Sequence, residues 1–270
     1  MGCPLYHFYT RRHTLAIILF IAIALPTSSA LPTQQEINTV ASLITAPTEV
    51  ERINILNDTD FVFDFLNPPP NAITSDGPDG TIVTARRDTF PALVGNGIAM
   101  SLGHLGPCGL NTPHIHPRAT EFNIAINGTL MTGMLAENGA RLIMNTVQPG
   151  QATVFPRGSI HFEQNLGCEP INFVAAFSDE DPGTTSLMNQ FFNLPSAVIQ
   201  ATMGGMQDTQ IRVIHDAIPN NVAFGVQECL QRCGIKNSVS FVQTPTSGGT
   251  KARGSFIWSV VCVTVWFWYL

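Results

Sequence analysis

The chain has 270 residues, with 13 Lys and Arg against 19 Asp and Glu and a formal net charge of −6. Charged residues make up only 12% and hydrophobic ones 44%, an apolar lean against the roughly one quarter charged of ordinary soluble chains. The mildly acidic balance and the lack of a basic cluster in the middle argue against nucleic acid as a partner and against a polybasic lipid-binding face.

The apolar excess lies at the two ends. Arg11, Arg12 and His13 precede an unbroken apolar run over 15–25; Pro26 stops it, and Ser28, Ser29 and Ala30 follow. A basic start, an apolar run of about 11 and a small-residue exit describe a secretory signal, whereas a membrane helix needs about 20 apolar residues. Residues 1–30 are therefore expected to be a signal peptide. An arm over 31–58 follows, with helical spacing at Ile37, Val40 and Ile44 before Pro47. Residues 61–65, with Phe61, Phe63 and Phe65 at alternate positions, precede Pro68, Pro69 and Pro70. The Pro-, Gly- and Asp-rich stretch 67–80 is expected to be a surface loop.

Short β-rich runs then succeed one another over 82–84, 97–105, 122–126, 129–135, 141–147, 152–155, 160–164 and 171–177. Asn138-Gly139 is a hairpin turn between two of them. Short strands at this spacing indicate a sandwich or barrel, jelly roll included. After Pro182-Gly183 the spacing becomes helical over 187–200, 208–217 and 222–233, with Pro195 and Pro219 as breaks. The expected fold is mainly β with a C-terminal helical appendage. A flexible stalk is expected over 244–255.

The last 15 residues, 256–270, carry no charge and contain all three Trp. Thr246, Ser247, Gly248 and Gly249 precede them, then Lys251 and Arg253. Small residues, a polar spacer and an apolar tail match a GPI-anchor signal with attachment at Ser247; a short membrane anchor is the competing reading. Of six Cys, Cys3 lies in the signal and Cys262 in the tail, leaving Cys108, Cys168, Cys229 and Cys233. An even number in a secreted chain predicts two disulfides, with three pairings open. Asn57 and Asn127 head glycosylation sequons.

His114 and His116 would project to one side of a strand, because the side-chain period is two. Glu121, past a Pro-containing turn, can return a carboxylate to the same point, and His161 on another strand can supply a fourth donor. Such a nitrogen and oxygen set suits Mn, Fe or Zn and leaves Cu or Ni open, with geometry deciding. The stretch Pro113-His114-Ile115-His116-Pro117-Arg118-Ala119-Thr120-Glu121, preceded by Gly109 and followed by Gly128, resembles the first motif of the germin-type cupins. Gly150 through Pro156, Gly158, His161 and Asn165 resembles their second. Residues 60–65 and Pro107-Cys108-Gly109 look most like the spherulin-type branch.

The resemblance covers about 59–243 and implies a cupin jelly-roll barrel over about 80–180, with helices over about 187–234. It implies one Mn2+ held by His114, His116, Glu121 and His161, and packing as a dimer or hexamer. Superoxide dismutase or a related Mn-dependent oxidase activity on superoxide or a small carboxylic acid would follow. A non-enzymatic, metal-stabilised wall or stress protein is the alternative. In oxalate-oxidising germins two asparagines orient the substrate: one matches Asn111, but the other falls at Ser101, which presents only a hydroxyl and disfavours oxalate oxidation.

Asn165 is expected to bond either the turn after the metal strand or a ligand's outer side. His104, Phe155 and Phe162 are expected to pack in the core, His215 to lie on a helix surface, and Arg118 to find a charge partner in the barrel mouth. If the His114 strand runs antiparallel beside that of His161, Cys108 and Cys168 fall within one residue of a facing pair. That register predicts a Cys108–Cys168 disulfide and leaves Cys229–Cys233, one helical turn apart.

Overall fold

The computed structural model describes residues 33–236. The signal peptide, the stalk, the tail with Ser247, Cys3 and Cys262 lie outside the described residues. Among the described residues no helix is long and apolar enough to cross a membrane.

The arm forms α1 (Gln34–Thr45) and α2 (Glu49–Ile55). Thr33 and Glu36 make a reciprocal capping box that satisfies orphan N–H groups at the start of α1. Residues 61–65 form no strand; Phe63 instead packs against Phe65 and Phe90. The expected loop 67–80 contains a strand, β1 (Ile73–Gly77), whose one side is exposed and which therefore carries no apolar alternation. The next strands are β2 (Gly80–Ala85), β3 (Ala99–Leu105), β4 (Gly109–Ile115), β5 (Glu121–Asn127) and β6 (Leu130–Leu135). They are followed by β7 (Ile143–Val147), β8 (Ala152–Phe155), β9 (Ile160–Asn165) and β10 (Ile171–Phe177).

Two antiparallel sheets result. One has the order β1-β2-β3-β10-β5-β8; the other runs β4-β9-β6-β7, with β11 (Thr185–Ser186) and β12 (Ala223–Phe224) beside β4. This is a jelly roll. Burial alternates residue by residue along β3 and β10, as half-buried strands require. One end of the interior is apolar, with Leu105, Ala125, Leu130, Ile171 and Phe173 packed together. At the other end the same inward positions turn polar, with Thr84, Ser101, Asn123, His161 and Glu163 all buried. That switch decides where the site sits.

The C-terminal helices are α3 (Leu187–Phe192), α4 (Ser196–Thr202), α5 (Asp208–Ala217) and α6 (Gln227–Arg232). Pro195 splits the expected 187–200 helix by standing at the start of α4. Phe192, Ile199 and Ile211 bury α3, α4 and α5 against one another.

The expected disulfide pairing is corrected. Cys108 bonds Cys229 and Cys168 bonds Cys233, with Cα separations of 5.8 and 5.3 Å. The register argument did place the right backbones together, since the Cys108 N–H donates to the Gly167 carbonyl. However, α6 covers this end of β4 and turns Cys229 toward the sheet. Cys108 stands at φ 66°, just ahead of β4. Cys229 and Cys233 share a helix face, so each takes a different partner rather than the other.

Candidate metal centre

Asn111 and His114 both face inward although they are three residues apart, which regular strand periodicity forbids. The β4–β9 register shifts between them; this irregularity, with Pro113 inside it, resets the phase of the strand. His114 then stands opposite His161. His116 follows at the end of β4, and Glu121 opens β5.

The structure brings His114, His116, Glu121 and His161 together, with one donor atom of each within 4.8 Å of all the others. All four are buried. Each imidazole is oriented by a backbone carbonyl at its Nδ1: Thr112 for His114 at 2.9 Å, Gly183 for His116 at 2.5 Å, and Ser159 for His161 at 2.9 Å. A carbonyl can only accept, so each Nδ1 carries the proton and each Nε2 is left with its lone pair. The Nε2 atoms of His116 and His161 lie 3.0 and 3.1 Å from Glu121 Oε2. Neutral imidazoles so oriented and a carboxylate present only lone pairs to one another, and a cation between them removes the conflict. With bonds of about 2.1 Å, neighbouring ligands of an octahedral ion are about 3 Å apart, so these separations fit one ion.

The surroundings favour that state of the donors. Phe155 stacks on His161 at 4.4 Å and Phe177 lies 4.7 Å from His116. Burial, reinforced by the neighbouring His161 and His116, holds His114 well below its ordinary pKa and therefore neutral. Burial pushes the Glu121 carboxyl up, but its close contacts with His116 and His161 outweigh this and keep it well below the usual range, so it stays a carboxylate.

Two buried groups in this site escaped sequence reasoning. Glu163 accepts from Asn111 Nδ2 at 2.8 Å, and Asn123 Nδ2 reaches both Glu121 Oε1 at 3.0 Å and Glu163 Oε1 at 3.3 Å. Burial first, and then the charge of Glu121, push the Glu163 carboxyl well above its ordinary value. This biases it toward its neutral, protonated form. The signal was present: Glu163 and Asn123 stand two residues after His161 and Glu121, on the same strand faces.

Asn111 lines a cavity of about 50 Å³ beside His114, His116 and Glu121. Its Oδ1 accepts from Asn221 Nδ2 at 2.6 Å. Ser101 lines the same cavity. Asn165 has no contact with the ligands' outer sides: its amide joins Gly106 O, Glu169 O and the Gly167 N–H at 2.7–2.8 Å, so it ties the turn. His104 is exposed and bonds Asn172 rather than packing inside. Phe155 is buried, but Phe162 is only half-buried because it faces outward on β9. Arg118 pairs with Asp181 at 2.7 Å, and His215 lies exposed beside Asp216 on α5. Asn57 and Asn127 are both exposed.

A jelly roll with three histidines and one glutamate at the polar end of its interior defines a cupin. The family model described as Cupin matches residues 63–205, and the chain belongs to the cupin family. Within it the relatives are spherulins and germin-like proteins. The chain is 41% identical to Spherulin-1A of Physarum polycephalum over 213 residues, 79% of this chain and 84% of that protein. It is 37% identical to a germin-like protein of Mesembryanthemum crystallinum over 141 residues, 51% of this chain and 60% of that one. Among solved structures, oxalate oxidase in complex with the substrate analogue glycolate superposes with a TM-score of 0.51 at 25% identity, over 60% of this chain and 84% of that one.

Proposed function

We propose that this cupin is a secreted, manganese-binding oxidoreductase of the germin and spherulin type, acting as a superoxide dismutase or a related oxidase of small acids. One observation carries it: three imidazoles with fixed Nδ1 protons direct their Nε2 atoms, with the Glu121 carboxylate, at one point beside a small polar cavity. Bound there, manganese would supply one-electron redox chemistry; Fe or Zn would suit the same donors. His114, His116, Glu121 and His161 would hold the ion, and Asn111 would orient a substrate. Glu163, biased toward its neutral form, would keep the carboxylate of Glu121 from facing a second charge. The phenylalanines keep water from the donors' flanks. Metal analysis followed by superoxide and oxalate assays tests this reading: stoichiometric Mn with activity toward either supports it, and absence of bound transition metal with all four ligands intact refutes the site.

A metal-stabilised, non-enzymatic protein is the second reading, favoured by the engagement of Asn111 at both ends of its amide and of Ser101 by Thr84. Stoichiometric Mn with no turnover of either substrate would select it. For the assembly we propose a homo-oligomer, a dimer or hexamer, supported by exposed Met100, Phe122 and Val154 on neighbouring strands of the outer sheet face. Light scattering that gives a monomer would refute it. The location we propose is the cell surface or wall, with glycans on Asn57 and Asn127 and a GPI anchor on Ser247. Release by a phosphatidylinositol-specific phospholipase is the expected result for that anchor.

A further inference from the structure

Three of the four donors line the cavity, and a row of hydroxyls and an arginine line it with them. Thr74, Thr84 and Ser101 come from the adjacent strands β1, β2 and β3 and line the same space as His114, His116 and Glu121. Their oxygens touch in sequence, with Thr74 Oγ1 2.9 Å from Thr84 Oγ1 and Thr84 Oγ1 2.7 Å from Ser101 Oγ. Thr74 is exposed, whereas Thr84 and Ser101 are buried. The row therefore runs from the surface inward.

Arg86, one residue beyond β2, also lines the cavity. Its Nε donates to Asp88 Oδ1 at 2.7 Å. The remaining N–H groups of the guanidinium have no hydrogen-bond partner among the described residues. A guanidinium with donors to spare, beside buried hydroxyls, offers an anion both charge and hydrogen bonds and gives a neutral molecule no charge to pair with. The hydroxyl row has two polarities. If Thr74 donates to the Ile82 carbonyl, 3.2 Å away, Thr84 can donate to Thr74 and Ser101 to Thr84. If Thr74 donates to Thr84 and Thr84 to Ser101, the Ser101 O–H is left to donate into the cavity. An anion there would select the second polarity, and each link would strengthen the next.

We infer that Arg86 and the Thr74–Thr84–Ser101 row form the recognition wall for a small anion, with Arg86 as the specificity-determining residue. The inference rests on the reading of the donor cluster given above. The cavity, about 50 Å³, has room for a few water-sized groups, so the ligand is a small oxyanion such as a short carboxylate or superoxide.

The test is calorimetric binding of glycolate and of azide to the full secreted protein as purified, with neutral glycolamide as control. Arg86→Gln should weaken anion binding by about tenfold or more, as loss of charge-assisted hydrogen bonds requires, and Arg86→Lys should recover part of it. Thr84→Val should weaken binding severalfold by cutting the row. Binding of glycolate that depends on Arg86 marks a carboxylate site; such dependence for azide alone marks a site for an anion of superoxide size. Either supports the inference. A folded Arg86→Gln protein that binds both anions within about twofold of the parent, or glycolamide binding as tightly as glycolate, overturns it. If Arg86→Gln is not secreted, Arg86→Lys and Thr84→Val carry the same comparison, and unchanged affinity in both overturns it. Arg86-dependent binding without turnover of superoxide or oxalate would sink the proposed activity and leave this inference standing; turnover with Arg86-independent binding does the reverse.

Discussion

Replacing Cys108 and Cys229 together by Ala removes the bond that closes the longer loop. The two cysteines are 121 residues apart in sequence and both are fully buried. In the chain-entropy relation, a loop of that length restricts the unfolded chain by about 5 kcal/mol at 25 °C. The 65-residue separation of Cys168 and Cys233 gives about 4 kcal/mol by the same relation. A bond between Cys229 and Cys233 would close a loop of only four residues and restrict it by about 2 kcal/mol. The pairings therefore differ in energy as well as in connectivity. Both cysteines must go, since a single replacement frees a thiol near Cys233, whose Sγ is 3.6 Å from that of Cys108. Urea denaturation of the secreted protein should show a loss of several kcal/mol, a large part of the 5–15 or so that a domain possesses. A non-reducing peptide map should join the Cys108 peptide to that of Cys229. A map joining Cys108 to Cys168, or a loss below about 1 kcal/mol, would refute the reasoning.

Gly103→Ala would place a Cβ 2.2 Å from the buried ring of Phe173 and should destabilise by about 1–3 kcal/mol, read as a lower Tm. Glu163→Gln should be tolerated, because burial favours the neutral form of Glu163 and a Gln carbonyl can still accept from Asn111. Glu163→Leu leaves the Asn111 amide without its acceptor, and Asn123 with Glu121 alone, and should cost about 1–3 kcal/mol; equal stability of the two variants would contradict this. Asp79 has an unpartnered carboxylate oxygen, and burial raises its pKa to about 6 from 3.8. A raised acid stabilises the fold most below the unfolded value and loses that contribution as pH rises through the folded one. Asp79→Asn should thus gain about 1 kcal/mol at pH 7, discounted for partial exposure, and flatten the stability profile between pH 4 and 6 or so; denaturation at several pH values reads both. His114→Ala or His161→Ala should abolish bound metal, measured by elemental analysis of the purified protein.

The strands β2, β3 and β5 to β10 are legible as short β-rich runs; β4 is not among them, because Pro113 and the shift between Asn111 and His114 interrupt its alternation. β1 is not legible either, since its residues Thr74, Ser75 and Asp76 leave no apolar signal at an exposed edge. α2 carries Val50 and Ile53 on the surface, so its apolar spacing does not mark a buried face. The four ligand candidates were legible because strand periodicity and the two motifs place them locally. Glu163 was equally local, yet its chemistry depends on burial against Glu121, which only the packed barrel provides. The disulfides failed for a different reason: their partner is a helix more than 60 residues downstream of Cys168, and no strand register fixes where it lands.

The position of α6 has a mechanical consequence. Any pull on the chain beyond residue 233 reaches Cys233 first and passes through its bond to Cys168 on the turn after β9; if α6 begins to peel away, Cys229 transfers the load to Cys108 at the head of β4. Force thus enters the barrel at two covalent points, the turn after β9 and the head of β4, and the hydrogen bonds of the sheets next to the donor cluster are not the first to carry it. Reduction of the two disulfides would turn the same pull into peeling of α6 from the barrel end.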